Sequence, residues 1–282
     1  MTLPSLRERF GALAPGAGCF SPFFVVGDPA VELSVEFAKA SVAAGASMLE
    51  LGIPYRDPCA DGVAIQRACA RAFAGGITTD RALAGIAAIS QACPGVPLNL
   101  LVYGNLAHAR GIATFCRELA AAGASSLLVP DIPLGEDEPL RAACDAAELG
   151  FVRLVGPRSS AERLAASAAG CAMLYVAGVQ GVTGSHDDVR AERSALLQRA
   201  RDAAGDVPLC AGFGIRTRAD VEDAFFSGAA LAVVGSRLAD VIGDAVNAGA
   251  DPVAAVSAVV RELAHPASNR SSQATKPNPT GA

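Results

Sequence analysis

The segment AAGASMLEL, residues 43–51, decides how this chain is read. A run of small residues suited to a helix stops at a glycine, and within two residues a short apolar strand begins. Glycine takes the left-handed conformation that closes a helix at little cost, so the order helix, glycine, buried strand is one half of a βα unit. The same phrase returns as AAGASSLLV at 121–129, AAGCAMLYV at 168–176 and FSGAALAVV at 226–234, and more weakly as AELGFVRLV at 147–155.

Working outward from these phrases, eight apolar strands are expected at about 20–26, 47–53, 97–103, 125–131, 151–156, 172–177, 208–213 and 230–235, separated by helical stretches rich in Ala, Leu and Arg. The strands are continuous apolar runs, the pattern of parallel strands covered on both faces. Eight βα units in about 250 residues match an α/β fold of the (β/α)₈ TIM-barrel type in a single domain. An open doubly wound sheet is the alternative, but its usual GxGxxG turn after the first strand is replaced by VVGDPA at 25–30. The barrel domain is expected over residues 1–265, with Pro4 to Phe10 as a short leading helix at the barrel bottom. Residues 266–282, PASNRSSQATKPNPTGA, lack apolar periodicity and read as a disordered tail.

Composition removes several function classes. The 282 residues are 51% hydrophobic with net charge −5, and the 23 basic residues are dispersed, which is no nucleic-acid footprint. Lysine occurs only at Lys39, mid-helix, and Lys276, in the tail, so neither suits a Schiff base on a barrel strand. The eight cysteines contain no CxxC pair and read as small buried hydrophobes, and the three histidines (108, 186 and 265) do not cluster with acids, so no metal site is expected. No signal peptide or run of membrane-spanning length is visible, and a cytoplasmic protein is expected.

Glu50 stands out because a carboxylate in an apolar strand costs several kcal/mol unless it is compensated. One reading is a structural acid satisfied by hydroxyls or by Arg56. The other is a general acid/base at the barrel rim, its pKa raised by apolar neighbours such as Leu49, Leu51 and Ile53, with Asp61 in the following loop as a second acid. Barrel enzymes gather functional groups at the C-terminal ends of strands. Glycines at 184, 214 and 235, with Ser236 opening the last helical stretch, stand where backbone N–H groups and a helix N-terminus receive a phosphate, although glycines also simply make turns.

The stretch ELGIPYRDPCADGVAIQ, 50–66, resembles the signature of the tryptophan synthase alpha chain family, and the resemblance continues through PFFVVGDP (22–29), LVYGN (101–105), LVPDIP (128–133), GVTG (181–184), GFGI (212–215) and GS (235–236). It implies a barrel lyase that cleaves indole-3-glycerol phosphate to indole and glyceraldehyde 3-phosphate in tryptophan biosynthesis. Glu50 and Asp61 fall on the family's catalytic acids. Phe23, Leu101, Tyr103, Leu128 and Tyr175 would wall the indole slot, and Thr183, Gly184, Phe213, Gly214, Gly235 and Ser236 would hold the phosphate and its surroundings. The resemblance also implies no cofactor in this chain, and a beta-chain partner carrying pyridoxal phosphate in an α2β2 assembly.

The chain departs from the family pattern at Arg56, Val63, Cys69, Val25, Val179 and Gln180. These positions leave both acids intact but bear on loops that close over substrate and meet the partner. A stand-alone indole-producing lyase, a weakly active homologue that modulates a beta chain, and a sugar-phosphate isomerase sharing the glycine site remain as rival readings.

Overall fold

The computed structural model describes residues 5–10, 13, 17–178 and 186–264. In chain order the elements are α1 (Leu6–Phe10), β1 (Cys19–Val25), α2 (Val31–Ala43), β2 (Leu49–Gly52), α3 (Val63–Ala74), α4 (Thr79–Ala92), β3 (Leu98–Leu101), α5 (Gly104–Arg110), α6 (Ile112–Ala121), β4 (Ser126–Leu128), α7 (Glu138–Ala146), β5 (Gly150–Val155), α8 (Ala161–Ala168), β6 (Met173–Val176), α9 (His186–Ala204), β7 (Leu209–Ala211), α10 (Arg218–Phe226), β8 (Leu231–Val234), α11 (Ser236–Ala248) and α12 (Pro252–Ala264). The strands pair in parallel, each with the next, and β8 closes on β1: a (β/α)₈ barrel.

The repeated phrases explain the helix endings, with one exception. Gly45, Gly123, Gly170 and Gly228 all have positive φ, between +69° and +110°, as the helix-to-strand reading requires. In the weaker fifth phrase the left-handed residue is Glu148, at φ 56°, whereas Gly150 already belongs to β5. Gly150 is needed for space: a Cβ there would lie 3.0 Å from the Ala172 methyl and 3.4 Å from Ser126 Cβ.

The strands are shorter than the apolar runs that announce them. β4 spans three residues against an expected 125–131, and β7 three against 208–213. An apolar run reports burial, whereas a strand ends where pairing ends, and the flanking prolines 130 and 208 lack the N–H that pairing needs.

Alternation along each strand sorts the side chains into two layers. Leu49, Leu51, Leu98 and Leu100, fully buried, pack outward against helices. The register Phe23 to Glu50 to Asn99 to Ser126 places these four on the inner face. The short leading helix is present: Leu6 and Phe10 are buried, Arg7 donates to Cys171 O at 2.7 Å and Arg9 to Gly95 O at 3.0 Å. Both carbonyls lie just before strands, so α1 crosses the end of the barrel opposite the strand C-termini. The expected tail, 266–282, lies outside the described residues. Among the described residues no helix is long and apolar enough to cross a membrane.

Candidate active site

Glu50 points into the barrel and is 1% exposed. Its carboxylate accepts two hydrogen bonds: the Tyr175 phenol donates to Oε1 at 3.0 Å and the Asn99 amide donates to Oε2 at 2.9 Å. Arg56 is not its partner, because the Arg56 guanidinium lies over the Phe73 ring at 4.4 Å. Burial without a cation pushes the carboxyl up to about 7, partly opposed by the hydrogen bonds from Asn99 and Tyr175. Leu49 and Leu51 are not the cause, since they face the helices; the barrel interior supplies the desolvation.

Tyr175 is itself held by burial and by the neighbouring Glu50 charge well above the usual phenol range, so it stays a neutral donor. Its ring sits where Gly212 leaves room: a Cβ on Gly212 would fall 2.0 Å from the ring.

The second acid, Asp61, ends the loop before α3. Burial raises its pKa and a hydrogen bond with Tyr103 lowers it. The Tyr103 hydroxyl accepts from Ala60 N at 3.1 Å, and its ring stacks on Tyr55 at 5.0 Å between centroids. Tyr103 is therefore a prop beneath the acid-bearing loop, and its place differs from the expected indole wall. Farther along, Arg71 of α3 forms a two-pronged pair with buried Asp28 at 2.7 Å and donates to Ala239 O of α11 at 3.0 Å. This ties the helix after Asp61 to the helix after β8.

Glu50, Asp61, Tyr175 and Gly212 border a cavity of about 240 Å³ at the C-terminal end of the barrel. Of the expected residues, Phe23, Glu50, Asp61, Leu101, Tyr175, Phe213, Gly214, Gly235 and Ser236 line it. Leu128, fully buried, and Tyr103 do not. Thr183 and Gly184, with Val179 and Gln180, lie outside the described residues.

The mouth is built from two glycine turns. Gly214 has φ +63°, and its carbonyl accepts from Arg193, a fully buried arginine of α9, at 2.7 Å. Arg193 also donates to Asp223 at 3.0 Å. Asp220 caps α10 and accepts from Arg216 N, Thr217 N and the Thr217 hydroxyl at 3.1, 2.9 and 2.8 Å, which with Arg190 pulls its carboxyl down to about 2 despite burial. Across the mouth Gly235 precedes α11, whose first-turn N–H groups are open to an anion.

Several site residues gave no signal that was read from the sequence. Asn99 and Ser126, fully buried, continue the polar chain from Glu50, and each was visible as a polar residue inside an apolar run. Cys59 corrects the reading of the cysteines: it is exposed, and Cys19 is partly so, whereas the other six are buried. Cys59 sits in the polar loop after β2, where no core forms. Among the described residues no group of His, Cys, Asp and Glu could hold a metal.

The comparisons with known proteins point to one family. The profile of the family described as tryptophan synthase alpha chain matches residues 11–272. The tryptophan synthase alpha chain of Corynebacterium aurimucosum is 35% identical over 257 residues, 90% of this chain and 93% of that one. That of Cronobacter sakazakii is 36% identical over 92% of this chain and 95% of its own. Among solved structures, subunit alpha from Legionella pneumophila superposes with a TM-score of 0.81 at 28% identity, covering 93% of this chain and 97% of that one. A chain from the tryptophan synthase α2β2 complex of Pyrococcus furiosus gives 0.81 at 28% identity over 88% and 98%. The chain, a barrel with two desolvated acids at its cavity and a glycine-built mouth, belongs to the tryptophan synthase alpha chain family, lyases that cleave indole-3-glycerol phosphate.

Proposed function

We propose that Glu50 and Asp61 carry the retro-aldol cleavage of indole-3-glycerol phosphate to indole and glyceraldehyde 3-phosphate in this chain. The single observation supporting this most is Glu50, buried in the cavity wall with a pKa of about 7. An acid poised there takes and returns a proton with similar ease at neutral pH.

Glu50, as the carboxylate, accepts the proton of the glycerol hydroxyl next to the scissile bond and delivers it to indole C3. The ring becomes cationic, and ionised Asp61 accepts a hydrogen bond from the indole N–H and stabilises that charge. The bond between C3 and the glycerol carbon then breaks. Its electron pair returns to the ring, the alkoxide becomes the aldehyde, and Glu50 ends as it began. Phe23, Leu101 and Tyr175 offer the flat apolar wall that an indole requires. The N–H groups at Gly214, Gly235 and the start of α11 would receive the phosphate, with Ser236 beside them.

The indole would pass to a beta chain in an α2β2 assembly; the family membership and the Pyrococcus furiosus complex support that partner. Pyridoxal phosphate would belong to the beta chain, because Lys39, exposed and paired with Glu36 at 2.8 Å, stands away from the cavity lining. A cytoplasmic location follows from this biosynthetic role.

Glu50→Gln incubated with indole-3-glycerol phosphate tests the reading. Free indole should fall by about 10²–10⁴-fold, and full retention would refute the assignment. Adding a beta chain and serine, with tryptophan as the readout, separates a coupled subunit from a stand-alone lyase.

A further inference from the structure

Four strands contribute to one chain of hydrogen bonds across the barrel interior. From β4, the Ser126 hydroxyl donates to Asn99 Oδ1 at 2.7 Å; from β3, Asn99 Nδ2 donates to Glu50 Oε2 at 2.9 Å; from β6, the Tyr175 phenol donates to Oε1 at 3.0 Å. Ser126 and Asn99 are fully buried and Tyr175 is 5% exposed, so solvent offers these groups no competing partners.

An asparagine side chain presents an acceptor at one end and a donor at the other, and the two differ little in shape. The ionised Glu50 carboxylate, which only accepts, removes the ambiguity: the amide turns its NH₂ toward Oε2, and the Ser126 hydroxyl, able to donate or accept, donates to the oxygen so presented. Both carboxylate oxygens then face donors, and a proton on Oε2 would meet an N–H head-on.

We propose that Asn99 is a positioning residue for the lyase reaction, holding Glu50 as an ionised carboxylate in one orientation through an amide whose oxygen is anchored by Ser126. This rests on Glu50 being the acid/base. Asn99 and Ser126 do not line the cavity and so act through Glu50.

Other titratable groups near Glu50 do not supply the same effect. The Cys210 thiol of β7 is pushed well up by burial and by the Glu50 charge, and so remains neutral. Asp61, at the mouth, is an acid and disfavours a second negative charge nearby. Cys19 is at the opposite end of β1, and Arg153, the charged residue of β5, turns outward to Asp137 at 2.6 Å. Among the described residues, β3, β4 and β8 bring no charged side chain to the interior. Asn99 and Tyr175 are thus the groups that offset the desolvation of Glu50.

The test is the pH dependence of kcat for indole release in the parent chain, Asn99→Ala and Ser126→Ala, together with direct titration of the Glu50 carboxyl by NMR on ¹³C-labelled glutamate. Loss of one hydrogen bond to a charged group should move both the Glu50 titration and the acid limb of kcat upward by about one pH unit in Asn99→Ala. At a pH one unit below the parent midpoint, that is a loss of about tenfold. Ser126→Ala, which removes the anchor of the amide oxygen and loosens Asn99, should shift both in the same direction by less. A uniform loss of kcat at every pH, with the Glu50 titration unmoved in both variants, overturns the proposal. Should Asn99→Ala fail to fold, the smaller Ser126→Ala change decides alone: an unmoved titration overturns it. A Glu50 titration that moves while the acid limb stays fixed would instead refute Glu50 as the acid/base and leave Asn99 as the group that sets its charge.

Discussion

Tyr175 and Glu50, 125 residues apart in sequence, meet inside the barrel in a hydrogen bond of 3.0 Å from the phenol to Oε1. The bond pairs a neutral donor with a carboxylate that, among the described residues, has no cation beside it.

Tyr175→Phe keeps the flat wall but removes this donor. The pKa of Glu50 should rise above its present value of about 7, and the acid limb of kcat should move up by about one pH unit. Activity near pH 9 should stay close to that of the parent chain. A pH series of indole release checks this.

Burial of Glu50 also makes stability depend on pH. Its pKa rises from 4.5 in the unfolded chain to about 7 when folded, so between those values the unfolded state loses its proton while the folded state keeps it. The contribution of Glu50 to stability is greatest below pH 4.5 and is lost as pH rises through 7, amounting to about 3 kcal/mol. Glu50→Gln should therefore be more stable than the parent relative to it at pH 8 than at pH 4.5. Urea unfolding at the two pH values measures the difference.

Tyr103→Phe removes the acceptor for Ala60 N–H and the hydroxyl beside Asp61. The ring stack on Tyr55 survives, so the fold should persist with a loss of about 0.5–1.5 kcal/mol from the hydrogen bond removed. Because Asp61 sits on the same loop, kcat should fall as well. Thermal unfolding and steady-state kinetics on the same sample separate the two effects.

Arg193→Leu should act on the phosphate end. It deletes the donor to Gly214 O and one of the two side-chain donors to half-buried Asp223, which keeps the Ser194 hydroxyl at 3.1 Å. KM for indole-3-glycerol phosphate should rise more than kcat falls, and inorganic phosphate should inhibit less well. Inhibition titrations at a temperature where the variant remains folded test this.

Much of this site could be read from residues close together in sequence. Glu50 and Asp61 declare themselves through an acid in an apolar run and the turn chemistry after it. Glu148 and Gly150 show the limit: the phrase at 147–155 marks the junction correctly, but the left-handed residue is Glu148, and the glycine serves instead to leave room beside Ala172. Tyr103 shows it again. Its position after β3 suggests a cavity wall, yet its hydroxyl reaches a loop 43 residues earlier.

The sequence by itself determined the barrel and the order of its strands, and marked the two acids and the glycines of the mouth as candidates, because each is written in a local pattern of burial or turn geometry. Only the tertiary structure decided the partners of Glu50. Asn99, Ser126 and Tyr175 come from three other strands, and the register between strands determines whether an inward side chain meets the acid or misses it by a layer. That register arises from closing the whole ring of strands with the helices packed outside, a condition that no single stretch of chain contains.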